Sequence, residues 1–169
     1  MNVRMLAGIV VAASAGIMAQ AASADVKQIT PEQVPAKVAA AVKAKWPKAK
    51  IKNAAVNTEK DATLYNLDLV ETSGKKQKKW GASLTPDGKI DEIQEPVKLS
   101  EVPKPVLAAL MKRYPAAKNP KVDKVTEGEG KDAKVMYEFR FGTQTRLDAE
   151  GKVLDEIEIE IELEEGKED

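Results

Sequence analysis

The chain has 169 residues, with 27 basic and 27 acidic side chains, no cysteine and no histidine. This composition excludes thiolate nucleophiles, Cys/His zinc sites, Ser-His-Asp triads and haem bound by histidine. An enzyme built on carboxylates alone or on serine and lysine is left as the alternative, and we expect no enzyme, metal site or cofactor. The balanced charge argues against nucleic acid and against an anionic membrane surface as partners.

The first 24 residues have the pattern of a secretory signal peptide. Arg4 supplies the positive charge, residues 5–18 form the apolar run, and Ala22-Ser23-Ala24 has the small residues of a cleavage site. We therefore predict that residues 1–24 are removed and that Asp25 begins the mature chain. The protein is then exported, to the periplasm or beyond, and no membrane anchor remains after cleavage.

Two segments of similar sequence have the period of an amphipathic helix. Residues 34–47 read VPAKVAAAVKAKWP and residues 102–115 read VPKPVLAALMKRYP. The apolar residues of each copy recur at the spacing of one helix face: Val38, Val42 and Trp46 in the first, and Val106, Leu107, Leu110, Met111 and Tyr114 in the second. The preceding segment 30–33, TPEQ, is typical of a capping box.

After each helix the apolar period changes to two, which indicates half-buried strands. The central strands are predicted at residues 64–71 and 134–141, and tight turns are predicted at Asp87-Gly88 and Glu150-Gly151. The second central strand repeats the first at an offset of 72 residues. We therefore predict an α+β chain of two tandem repeats, residues 25–98 and 99–169, each with one helix packed on a roughly four-stranded antiparallel sheet.

Three further patterns have more than one interpretation. The basic run at residues 74–80, GKKQKKW, could contact nucleic acid or heparin, but a solvated turn that protects a sheet edge is favoured. The alternating run at 155–165, DEIEIEIELEE, is interpreted as an acidic solvated face paired with Arg140 and Arg146, with binding of a cation or a basic partner as the weaker alternative. The aromatic residues are assigned to the core and not to a ligand cage.

The order of these patterns resembles the PepSY-like domains, which are grouped with beta-lactamase-inhibitor-like proteins. The resemblance implies an exported module with a helix on an antiparallel sheet, often in tandem, with a binding or inhibitory role. It rests on one set of matched positions in each copy: Val34, Pro35, Val38, Trp46, Pro47, Tyr65 and Gly88, then Val102, Pro103, Val106, Tyr114, Pro115, Tyr137 and Gly151.

We therefore predict an exported, non-enzymatic protein-binding module, with inhibition of an envelope or secreted hydrolase as its specific form. The alternative is a sensor or carrier that binds a small ligand or a cation. Because a helix covers only one face of a sheet, the other face is expected to bind the unidentified protein partner. The candidate residues on that face are Asn66, Asp68, Met136, Glu138, Arg140, Glu158, Glu160 and Glu162.

Overall fold

The computed structural model describes residues 25–59, 62–117, 119–141 and 143–158, and the predicted signal peptide lies outside them. Its helices are α1 (Ala36–Lys45) and α2 (Lys104–Arg113), and 3-10 turns lie at Pro31–Gln33, Leu99–Glu101 and Gly130–Asp132. Its strands are β1 (Asp25–Ile29), β2 (Lys50–Glu59), β3 (Ala62–Ser73), β4 (Lys76–Leu84), β5 (Ile90–Val97), β6 (Lys121–Glu127), β7 (Lys134–Arg140), β8 (Thr143–Asp148) and β9 (Val153–Glu158).

The nine strands belong to one antiparallel sheet, in which they follow their order in the sequence from β1 to β9. The prediction of two repeats, each with its own four-stranded sheet, is therefore wrong. Every separate sheet has two edge strands whose outer N–H and C=O groups lack ladder partners, so a single sheet leaves fewer such groups exposed. Strand β1, which was not predicted, pairs with residues 54–58 of β2.

The described residues divide into two compact units. The first comprises the described part of Met1–Pro96 together with Val125–Val135, and the second comprises Val97–Lys124 together with the described part of Met136–Asp169. The units do not coincide with the predicted repeats, since the first unit takes in Val125–Val135 from the second repeat. The repeat boundaries at residues 98 and 99 stay a prediction.

In the first unit, helix α1 packs against one face of its strands. Val38 and Val42 are buried there in one cluster with Leu67, Leu69 and Trp80. The rings of Trp46 and Trp80 meet edge to face, with their centroids 5.8 Å apart. Burial of one large apolar side chain contributes about 1.5–3 kcal/mol, so this cluster is the main source of the first unit's stability.

The second unit uses the equivalent helix positions. Val106 and Leu110 of α2 are fully buried, as are Phe139 of β7 and Leu147 of β8. At the end of α2, the ring of Tyr114 contacts that of Phe141 edge to face, with centroids 5.0 Å apart. Val38, Val42, Val106 and Leu110 therefore face the core as the spacing of three and four predicts, whereas Met111, predicted on the same face of α2, is 41% exposed.

Each helix is preceded by a 3-10 turn closed by a side chain. The Thr30 N–H donates to Gln33 Oε1 over 2.9 Å, and the Lys98 N–H donates to Glu101 Oε2 over 2.8 Å. The capping box predicted at Thr30 is thus present, but it closes the 3-10 turn and α1 begins only at Ala36. These contacts satisfy backbone donors that a helix start would otherwise leave unpaired.

The two predicted glycine turns bring each helix close to the sheet. Gly88 and Gly151 have φ angles of 88° and 87°, in the left-handed region that favours glycine. A Cβ on Gly88 would lie 2.8 Å from the Lys37 carbonyl oxygen, and a Cβ on Gly151 would lie 2.9 Å from the Pro105 carbonyl oxygen. The glycines thus serve the turn and also allow the helix backbone to pack against it.

Candidate binding face

The face of the first unit's strands that points away from α1 carries a hydrogen-bonded group of neutral and acidic side chains. Successive side chains of a strand alternate between the two faces of the sheet. Asn66 and Asp68 of β3 therefore point to the face away from the core, while Leu67 and Leu69 point into the core. Ser83 Oγ donates to Asn66 Oδ1 over 2.8 Å, and Asn53 Nδ2 donates to Asp68 Oδ2 over 2.8 Å. We call these four residues, Asn53, Asn66, Asp68 and Ser83, the first polar cluster.

The second unit carries an ionic group on the corresponding face of β7 and β8. Arg146 Nε donates to Glu138 Oε2 over 2.9 Å, and Arg140 Nη1 donates to Glu138 Oε1 over 2.7 Å. The other guanidinium nitrogen of Arg140, Nη2, donates to Asp123 Oδ2. Two arginines therefore hold two carboxylates, and we call Asp123, Glu138, Arg140 and Arg146 the second polar cluster.

The second polar cluster is largely removed from water. Glu138 is fully buried, Asp123 and Arg146 are almost so, and the side chain of Arg140 keeps 31% of its exposure. Burial raises the pKa of Asp123, and the charge of Arg140 only partly opposes that effect. Since Glu138 uses both oxygens on arginines, it is poorly placed to act as a general base.

The two clusters occupy equivalent strand positions. Asn66 precedes Glu138 by the offset of 72 residues that relates the two central strands, and so does Asp68 with Arg140. In the register, Asn66 lies opposite Ser83 just as Glu138 lies opposite Arg146. The same strand positions thus carry hydrogen bonds from amide and hydroxyl groups in the first unit and ion pairs in the second.

The structure places the predicted face residues in three different settings. Asn66 and Asp68 lie in the first polar cluster and are half-buried, while Glu138 and Arg140 lie in the second. Met136 shares the face of Glu138 and is buried. Glu160 and Glu162 lie outside the described residues.

The acidic strand β9 has a register that the alternation alone did not indicate. In the ladder with β8, Asp155 pairs with Arg146. Glu156 pairs with Thr145 and Glu158 with Thr143. These two threonines lie on the same side of β8 as the buried Leu147. A register shift between Arg146 and Leu147 sets this arrangement. An extra residue in one strand moves the following side chains to the other face, and periodicity along β9 cannot reveal a bulge in its ladder with β8.

Glu156 accordingly contacts the end of α2 and does not face the second polar cluster. Arg113 Nη2 donates to Glu156 Oε2 over 2.5 Å, and Arg113 Nε donates to the Tyr114 hydroxyl over 3.0 Å. The hydrogen bond with Tyr114 and the one from Arg113 lower the pKa of Glu156, and the same carboxylate raises the pKa of Arg113. This contact ties the last described strand to the helix.

Sequence reasoning missed Asn53, Ser83 and Asp123 and gave Arg146 another partner. Alternation along the strands could have identified Ser83 and Arg146 as residues of the polar face. Ser83 directly precedes the buried Leu84 in β4, and Arg146 directly precedes the buried Leu147 in β8. Asn53 follows a register shift in β2, between Ile51 and Asn53, which hides its face from a count of alternating residues. No local pattern distinguishes Asp123, because its role depends on the distant Arg140.

Two other kinds of feature are absent from the residues that the structure describes. The described part of the chain holds no group of three or more His, Cys, Asp or Glu side chains arranged to bind a metal ion. Within the same residues, no helix combines the length and apolar character needed to span a membrane.

Three crystal structures of Bacteroides proteins are similar to this chain. A candidate periplasmic protein from Bacteroides eggerthii shares 23% identity at a TM-score of 0.55, over 75% of this chain and 89% of that one. A DUF2874 family protein from Bacteroides uniformis shares 18% at 0.53, over 73% and 88%. A BLIP-like protein from Bacteroides fragilis shares 15% at 0.50, over 74% and 86%.

These similarities concern the fold. No protein-family model matches the chain, and no curated protein matches it closely enough to count as a relative. The chain therefore has the fold of these solved structures, one of which is described as BLIP-like.

Proposed function

We propose that the chain is an exported, non-enzymatic protein-binding module of the PepSY-like, beta-lactamase-inhibitor-like kind. The observation that carries the proposal is the pair of polar clusters on the side of the strands away from the core. Their side chains are held by hydrogen bonds to one another on rigid strands. A surface that is already ordered loses less conformational entropy when a partner binds, which favours affinity.

The accessible groups of the clusters are suited to a protein partner. Asn53 is exposed, Asp68 is half-buried, and Arg140 keeps about a third of its side-chain exposure. Arginine is enriched at protein interfaces, and its guanidinium is fixed here by two carboxylates. Glu158 pairs with Thr143, on the side of β8 that carries the buried Leu147, so only Glu160 and Glu162 stay part of the proposed face as a prediction.

An exported location is supported by two independent observations. The N-terminal 24 residues have the signal-peptide pattern, and the similar protein from Bacteroides eggerthii is described as a candidate periplasmic protein. A binding role without catalysis is supported by the lack of histidine and cysteine in the whole sequence, and by the engagement of both Glu138 oxygens. Inhibition of an envelope or secreted hydrolase is the specific form of this role.

Capture experiments with variants of both faces test the proposal. We expect Asn53→Trp combined with Asp68→Asn to lower capture of an envelope partner by about tenfold or more, because a bulky ring blocks the face and a charge is lost. The matched controls are Lys43→Glu on α1 and Lys112→Glu on α2, both at exposed helix positions. Binding is measured by quantitative pull-down from envelope extract, with folding checked by thermal melting.

The two sets of variants separate the two faces. Loss of capture in the polar-face variant, with capture retained in both helix controls, supports docking on the clusters. Loss in the helix controls with retention in the polar-face variant would place the partner on the helices and contradict the proposal. For the inhibitor form, the captured partner must also lose its hydrolase activity when saturated with the wild-type protein.

A further inference from the structure

Lysines are concentrated in one part of a chain whose total charge is balanced. Residues 33–58 contain six lysines and no acidic residue, and the β3–β4 hairpin adds four more within residues 75–79. Eight of these lysines belong to the C-terminal end of α1, the start of β2 and the hairpin. We call them the basic end: Lys45, Lys48, Lys50, Lys52, Lys75, Lys76, Lys78 and Lys79.

The fold brings these three segments together at one end of the first unit. The register places Lys50 opposite Val70 and Val70 opposite Lys79, so the three residues form one row across β2, β3 and β4. The Trp46–Trp80 ring contact joins the end of α1 to β4. Lys45 Nζ lies 5.8 Å from the Trp46 ring centroid, and Lys78 Nζ lies 5.4 Å from that of Trp80.

Most of this charge is not neutralised locally. All eight lysines are exposed. Among the described residues, Lys45 pairs with Glu129 and Lys78 with Glu95, while the other six make no ion pair. Glu71 lies opposite Lys78, and Asp68 lies opposite Asn53, the residue that follows Lys52. Eight lysines against these four carboxylates leave an excess of four positive charges at this end.

The chemistry of the basic end suits a diffuse anionic surface better than a protein or a nucleic acid. Lysine is depleted at protein interfaces, and the basic end has no arginine anchor. Its two aromatic rings are engaged with each other, Trp80 is buried and Trp46 is half-buried, so neither presents an open platform for base stacking. Flexible, strongly hydrated ammonium groups without fixed geometry match the spread charge of lipid headgroups.

We propose that the basic end docks the protein on an anionic phospholipid surface. We expected no membrane partner because the net charge of the whole chain is balanced. That balance does not show the local excess of positive charge at the basic end. This attachment is peripheral and electrostatic, since it uses exposed lysines and requires no inserted segment. The inference does not depend on the proposed protein partner, because it uses a different surface.

Vesicle co-sedimentation tests the proposal with protein purified after export. We expect binding to vesicles of phosphatidylcholine mixed with phosphatidylglycerol, no binding to pure phosphatidylcholine, and loss of binding at about 1 M salt, where the Debye length is about 3 Å. Each lysine near such a surface changes partitioning by about fivefold. Replacing Lys48, Lys75, Lys76 and Lys79 together by Gln should therefore lower partitioning by at least about tenfold.

The matched control changes the net charge equally at exposed lysines of the second unit, by replacing Lys104, Lys112, Lys121 and Lys152 by Gln. It should retain nearly all binding, and thermal melting should show both variants folded. Equal binding to neutral and anionic vesicles, or equal loss in both variants, overturns the proposal. Lysine-dependent binding to a single-stranded oligonucleotide or an acidic peptide, measured by fluorescence anisotropy, also overturns it if vesicles are bound no better.

Discussion

Glu138→Ala is expected to lower the free energy of unfolding by about 3–5 kcal/mol, because it removes the carboxylate from a buried ionic group. Glu138 is fully buried and accepts hydrogen bonds from Arg140 and Arg146. Arg146 is only 5% exposed, and the substitution removes the carboxylate that Arg146 contacts in the wild-type protein. Urea unfolding followed by circular dichroism measures the change.

The first unit offers a matched control at the equivalent position. Asn66→Ala removes a neutral acceptor that is only half-buried and should cost about 1 kcal/mol. Replacing Glu138 by Leu and Arg146 by Met together should lower the free energy of unfolding less than Glu138→Ala alone. The double variant removes both charges, whereas Glu138→Ala leaves the buried charge of Arg146 without this carboxylate. Equal losses for Glu138→Ala and Asn66→Ala would show that the ionic group is not desolvated as the structure indicates.

Gly151→Ala should be the second severe change, with a loss of about 2–4 kcal/mol. The residue has a φ of 87°, and an added Cβ would lie 2.9 Å both from the Pro105 carbonyl oxygen and from Ala109 Cβ. The substitution therefore combines an unfavourable backbone conformation with a collision against α2. Thermal and urea unfolding measure the loss.

Gly74→Ala separates these two effects. Gly74 also has a positive φ, of 61°, but an added Cβ there would meet no atom within 4 Å. Only the cost of the left-handed conformation remains, about 1–2 kcal/mol. If Gly151→Ala is no more destabilising than Gly74→Ala, α2 does not approach this turn as closely as the structure indicates.

Local patterns in the sequence identified the elements better than their assembly. The spacing of Val106 and Leu110 indicated the buried side of α2, and the glycines indicated the two turns, because helix periodicity and positive φ are local properties. The single sheet depends on backbone pairing between distant strands. Strand β1 is a short segment after the signal-peptide pattern, and only its partner β2 makes it a strand.

The candidate face was predictable only in part, for the same reason. Alternation identified Asn66, Asp68, Glu138 and Arg140 as one kind of position, but burial of Glu138 depends on its arginine partners. The register shift before Leu147 placed Glu156 beside α2, where a continuous alternation would have placed it on the polar face. Bulges arise in the ladder between strands, so periodicity along one strand does not show them.

Site-specific photo-crosslinking in exporting cells tests the proposed binding face most directly. A photoreactive side chain replaces Asn53, an exposed member of the first polar cluster, and in a separate variant replaces Lys43 on the outer side of α1. Both positions are exposed, so the probe itself should leave the fold unchanged. We expect a discrete crosslinked protein from position 53 and none from position 43. Crosslinks from position 43 alone, or from neither position, would contradict it.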